Sequence, residues 1–197
     1  MSAPEPGSVP ERPAGARLAS CAMDIVEIAA RANGAPGLES VAVGRALELP
    51  ALGQIALAPD QLALGVRPGR WLLLSAPAAP GAAAAIWQAA CAGVGAAVDL
   101  SSGLAGLHLG GPAAREILAR ACRLDLDLSA FPAGRAAATI MVQVSVVLAA
   151  LPSGLLLLTP ATTARHVREW LTSTGKPFGL TARADVTVAS LCGDELT

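Results

Sequence analysis

The chain has 197 residues, 53% of them hydrophobic and only 15% charged, with a formal net charge of -1 at pH 7. A surface so poor in charge is more readily buried against a partner than kept alone in water. The near-neutral balance, the lack of long basic runs and an aromatic content of 3% exclude a groove-reading or base-stacking nucleic-acid binder.

In chain order, residues 1–20 are rich in Pro, Ala, Gly and Ser and read as a flexible leader. They lack the basic start and apolar run of a secretion signal, which points to the cytoplasm. "CAMDIVEIAARANG" (21–34) reads as a short helix closed by Asn33-Gly34. Strand-like runs follow at 41–49, 54–58 and 70–75, separated by Pro50, Pro59-Asp60 and Pro68-Gly69. A helix is expected over 82–92, then strands in "AAVDLSS" and "AGLHLGG". Pro112 opens a helix through Cys122, because proline in the first turn needs no amide partner. "ATIMVQVSVVLAA" (138–150) and "LLLLT" read as a hairpin across Pro152-Ser153-Gly154. The last helix runs from Pro160 to Gly175 with Thr159 as its cap, and its apolar face holds Ala164, Val167, Trp170 and Leu171. Residues 176–197 read as a tail with one strand at 185–189. Strands interleaved with helices and hairpins indicate an α+β fold with mixed or antiparallel sheets and packed helices. Residues 21–175 form a single domain, and the element order also allows two β-β-α-β-like lobes. The apolar stretches 82–98 and 136–151 are too broken or too short to span a membrane.

Most chemical constellations are incomplete. Gly93 and Gly95 lack the third glycine of a dinucleotide fingerprint and precede a strand. Cys21, Cys91, Cys122 and Cys192 are scattered, as reduced thiols and not as a zinc ribbon or disulfide framework. His108 and His166 have no further ligand at metal-site spacing. Asp99 with Ser101 and Ser102 lacks a nucleophile elbow and reads as a strand end and turn. The strongest candidate is "CRLDLDLSAFPAGR" (122–135), where alternation sets Leu124, Leu126 and Leu128 on one side and Asp125 and Asp127 on the other. Paired carboxylates suit acid–base work or a cation. Arg123 and Arg135 flank them, however, and pairing with arginine compensates the charge without any catalysis. Arg123, Asp125, Asp127 and Arg135 are therefore read as a subunit interface, with no catalytic, cofactor or metal site in the chain.

The run 98–148 carries an Asp-Leu-Ser turn, an alternating strand entering Gly-Pro-Ala-Ala-Arg, a Cys-x-Leu-Asp-Leu connector, Phe-x-x-Gly-Arg and a Thr-led apolar strand. With "RWLLLSAP" and "VREWL", this order resembles the γ subunit of bacterial heterotetrameric sarcosine oxidase over residues 41–175. The resemblance implies a fold similar to the folate-binding aminomethyltransferases. It also implies a small, non-catalytic accessory subunit of a flavoenzyme that oxidatively demethylates sarcosine or a related N-methyl amino acid. The implied partners are α, β and δ subunits carrying FAD, FMN, NAD, zinc and tetrahydrofolate. The alternative is a stand-alone tetrahydrofolate-binding or aminomethyltransferase-like protein. It would need a carboxylate facing a pterin pocket, and Asp99, Asp125 and Asp127 are the candidates.

Overall fold

The computed structural model describes residues 15–193. Eleven strands and five helices occur among them, with the order β1 (Arg17–Cys21), β2 (Asp24–Ala30), α1 (Ala35–Val43), β3 (Ile55–Ala58), β4 (Gln61–Arg67), β5 (Arg70–Ser75), α2 (Ala82–Ala90), β6 (Gly95–Asp99), β7 (Leu104–Gly110), α3 (Ala114–Ala119), β8 (Ala136–Met141), β9 (Val144–Leu151), β10 (Gly154–Pro160), α4 (Ala164–Gly175), β11 (Thr181–Ala182) and α5 (Val188–Cys192). They build two sheets, one ordered β11-β1-β7-β10-β9-β8 and the other β3-β4-β5-β2-β6. Every pairing is antiparallel except the short one between β1 and β11. The architecture is α+β.

The apolar runs explain the layering. In β10, Leu155 and Leu157 face a core shared with Ile117 and Leu118 of α3 and Val167 and Leu171 of α4. Leu156 and Leu158 point the other way, into a core between the sheets with Leu62, Leu64, Leu72 and Leu74. In β5, Leu72 and Leu74 enter that central core while Trp71 and Leu73 meet Leu38 of α1 and Trp87 of α2. Both central strands are thus buried on both faces, so their sequences run continuously apolar instead of alternating. The result is four layers: helices, sheet, sheet, helices.

Two corners tie the sheets together. At one, β1 passes into β2 and β6 into β7, and the Ser101 hydroxyl accepts the Ile25 N–H at 3.0 Å. At the other, the Ile55 N–H donates to Gly134 O and the Ala136 N–H to Gly53 O, each at 3.0 Å. Gly111 is one glycine the fold requires: its φ is +95°, and an added Cβ would lie 2.6 Å from the Gly15 carbonyl.

Several sequence expectations are corrected. Residues 17–20 belong to β1 and not to a leader, because Leu18 and Ala19 fill two different cores; residues 1–14 of that expected leader lie outside the described residues. Residues 21–34 form the end of β1 and β2 instead of a helix, since Ile25, Val26 and Ile28 are buried on alternate sheet faces. Residues 41–43 end α1 instead of starting a strand. The run 138–150 is itself a hairpin, β8 and β9, turned at Val142 and Gln143 with φ of 50° and 62°. The helix expected from Pro160 begins at Ala164, as α4, after a 3-10 turn over Ala161–Thr163, and its cap position is Thr163. Thr159 lies buried at the end of β10. The expected tail is also integral: β11 extends one sheet, and Val186, Val188 and Leu191 pack into the central core. The expected strand at 185–189 is reduced to a single bridge from Val186 to Cys21, and α5 follows it, its start closed by reciprocal bonds between Thr187 and Ser190.

Candidate functional site

The segment 122–135 leaves α3 and reaches the start of β8 across the outer face of the six-stranded sheet. Its backbone is irregular, not a strand. Leu126 and Phe131 are buried and Leu124 is partly so, while Leu128 is 66% exposed. The expected alternation therefore holds for the first two leucines and breaks at the third.

The carboxylates act locally. An oxygen of Asp125 accepts the Asp127 N–H at 3.0 Å. One of Asp127 accepts the Ser129 N–H at 2.8 Å and the Ser129 hydroxyl at 2.6 Å. These bonds hold the Asp127 carboxyl below the usual carboxylate range, with a smaller contribution from the nearby Arg115. Asp turns of this kind shape a loop without chemistry. No ion pair among the described residues joins Asp125 or Asp127 to Arg123 or Arg135. Arg123 and Arg135 are exposed, and their backbones join edges: Arg123 N–H donates to Ile140 O, and Arg135 bridges to Gln54.

The arginine that organises the segment is one the sequence places merely off the apolar face of α3. Arg115 Nη1 donates to Leu126 O at 2.7 Å and to Phe131 O at 2.8 Å. It pins both ends of the exposed loop that carries Leu128. The signal available in the sequence is the Gly-Pro-Ala-Ala-Arg helix opening, which puts this arginine in the first turn of α3 and within reach of the returning chain.

The other candidates separate. His166 is exposed on α4, whereas His108 is buried on β7 with Nε2 3.3 Å from the Ser153 hydroxyl. Burial, and then the nearby Arg183, push His108 down to about 4. Asp99 ends β6 and accepts the Ser101 N–H at 2.9 Å, which closes a turn. It lies on the five-stranded sheet, while Asp125 and Asp127 lie beyond the outer face of the six-stranded one, so the three carboxylates share no pocket. Burial is the main force pushing the Cys21 thiol up to about 12 and Cys192 to about 11, so both stay protonated at neutral pH. Among the described residues no three His, Cys, Asp or Glu side chains gather as metal ligands, and no helix is long and apolar enough to cross a membrane.

Two clefts remain. One of about 650 Å³ lies at the β1–β2 corner beneath Arg165 and Arg168 of α4, with Asp24 and Asp185 on its walls. A second of about 450 Å³ opens between the sheets, with apolar walls including Val66, Leu100, Ile140 and Val147. Glu27 lines it, tied by the Arg70 guanidinium at 2.7 Å.

Comparison with solved structures places this fold. The chain is similar to a chain of heterotetrameric sarcosine oxidase from Corynebacterium sp. U-96, solved in complex with pyrrole 2-carboxylate. The two are 24% identical with a TM-score of 0.74, over 84% of this chain and 86% of that one. It is also similar to the glycine cleavage system aminomethyltransferase T from Bartonella henselae. There the identity is 15% and the TM-score 0.60, over 88% of this chain and 48% of that one, so it spans about half the length of the transferase. At these identities the likeness shows the fold, which is that of the aminomethyltransferases. No match is found among curated protein sequences. The family model described as sarcosine oxidase, gamma subunit family, matches residues 28–169, from β2 in one sheet through α4 over the other. The family reading of the sequence and the four-layer architecture meet in that match: the chain belongs to the sarcosine oxidase gamma subunit family.

Proposed function

We propose that the chain is the accessory subunit of a heterotetrameric flavoenzyme that oxidatively demethylates sarcosine or a related N-methyl amino acid. The observation that carries this reading is the gamma-subunit family match across residues 28–169. In it, the chain supplies surface, and α, β and δ subunits in the cytoplasm carry FAD, FMN, NAD, zinc and tetrahydrofolate. No residue of this chain is assigned to the flavin chemistry. The stand-alone folate-binding alternative is not favoured, since the family match is to the gamma-subunit family over residues 28–169.

The segment from Arg123 to Arg135 is one docking surface in this reading. Asp125 and Asp127 hold the loop in shape, Arg115 braces it, and the exposed Leu128 enters the partner, with the exposed Arg123 and Arg135 at the two ends of the segment. Leu128→Asp should weaken assembly by about 2 kcal/mol or more, the usual cost of a buried interface anchor, with the folded chain unharmed. Titration of the variant against the larger subunits reads this directly, and unchanged affinity rules out the segment as an interface. The subunit reading itself is tested by producing the larger subunits with and without this chain. Omission should leave them unassembled or without sarcosine-dependent turnover. Full turnover and normal assembly without it would overturn the reading.

A further inference from the structure

The five-stranded sheet ends on β6, and that edge differs from the others. The phase of its pairing with β2 is fixed by two bonds, Arg31 N–H to Val94 O at 3.1 Å and Leu100 N–H to Ile25 O at 2.8 Å. Antiparallel pairs bond at every second residue. Ala96 and Val98 therefore turn their amides and carbonyls to β2, while Gly95, Ala97 and Asp99 turn theirs away. The Gly95 N–H is taken by Cys91 O at the end of α2. The N–H groups of Ala97 and Asp99, and the carbonyls of Gly95, Ala97 and Asp99, have no backbone partner among the described residues.

The other edges are shorter or partly covered, although the outward N–H groups of Leu57 on β3 and Ala138 on β8 also lack a backbone partner among the described residues. On β3, Ile55 donates to Gly134, and Pro59 follows the strand. On β8, Ala136 donates to Gly53, and Ile140 accepts from Arg123. β11 is only two residues long. β6 has no lysine, no proline and no bulge, the devices by which lone proteins blunt a free edge. Its sequence, "GAAVD", is uncharged up to Asp99, and Ala96 and Val98 are exposed. α2, which packs on the same strand, contributes no charge anywhere along its length.

We propose that the β6 edge accepts an extended segment of a larger subunit, which adds a sixth strand to this sheet. Donors and acceptors two residues apart along an edge are matched by another extended backbone and not by a helix or a small molecule. Charge narrows the occupant further. Asp24 and Asp99 lie at the same end of the β2–β6 pair, and no cation pairs with either among the described residues. The incoming segment is apolar along its length and carries a lysine or arginine at the Asp99 end.

This proposal rests on the accessory-subunit reading above, and one experiment separates the two. Amide hydrogen exchange is followed over residues 95–99 in the full chain alone and in the purified complex. The exposed Ala97 and Asp99 amides should exchange quickly in the free chain and about tenfold or more slowly in the complex, as strand addition protects them. Ala97→Pro removes one outward donor without touching the β2 ladder and should weaken assembly about tenfold or more. A complex that forms with unchanged exchange at 95–99 overturns the added strand and leaves the subunit reading standing. Slow exchange in the free chain together with a doubled native mass would mean that a second copy covers the edge, and also overturns it. Failure of the chain to enter any complex removes both.

Discussion

His108 shows how a single residue can mislead on a strand whose neighbours alternate. Its place between Leu107 and Leu109 leaves surface or half-burial open, yet it points between the sheets and is 3% exposed. An unfolded histidine titrates near 6.5, while here burial brings the group to about 4. Between those values the unfolded chain binds more protons than the folded one. The contribution to stability is therefore complete above about pH 6.5 and lost as pH falls toward 4, by roughly 3 kcal/mol in all. Denaturant titrations from pH 7 to 4 should show that slope in the native chain and a flatter one in His108→Leu. Equal slopes would mean that another group drives the acid loss. The Val142-Gln143 turn was illegible for a related reason. A tight hairpin with two positive φ values is expected at Asn-Gly or Asp-Gly, and here a β-branched residue and a glutamine occupy it, imposed by the pairing of β8 with β9.

At the scale of the element, legibility followed the buried face. β5, β10 and α2 are read from the sequence because apolar runs or small residues leave few alternatives. α1 is missed even though Pro36 stands in its first turn, because "VAVGRALEL" offers a strand-like pattern that only the packing of Leu38 and Ala42 against the sheet overrules. α4 is read correctly in its apolar face but unevenly in its burial. Val167 and Leu171 are fully buried and Trp170 only partly. Leu171→Ala should cost about 2–5 kcal/mol, and Trp170→Ala less than the roughly 3–5 kcal/mol of a fully buried ring. Urea unfolding of the two variants orders them; a larger loss at Trp170 would place that ring deeper than the structure does. The candidate site follows the same logic. The acidic connector is visible as a charge cluster, but its organiser Arg115 bonds two carbonyls that only the folded loop presents.

At the scale of the molecule, the four layers make the C-terminal stretch structural. Val186, Val188 and Leu191 close the central core between the sheets, and burying three such side chains contributes about 5 kcal/mol. That is comparable with the whole stability of many domains, about 5–15 kcal/mol. A chain ending at Gly179 should lose cooperative thermal unfolding, and one that melts like the full chain would show that β11 and α5 add nothing. The charge-poor surface, the unguarded edge of β6 and the exposed Leu128 belong to the same account: a fold complete in its core and incomplete at its surface. The most direct test is the native mass of the complex purified through this chain after co-production with the larger subunits. The account predicts a heterotetramer containing one copy of the 19.6 kDa chain and turning over sarcosine or a related N-methyl amino acid. A chain recovered alone, with the larger subunits assembled and active without it, would contradict it.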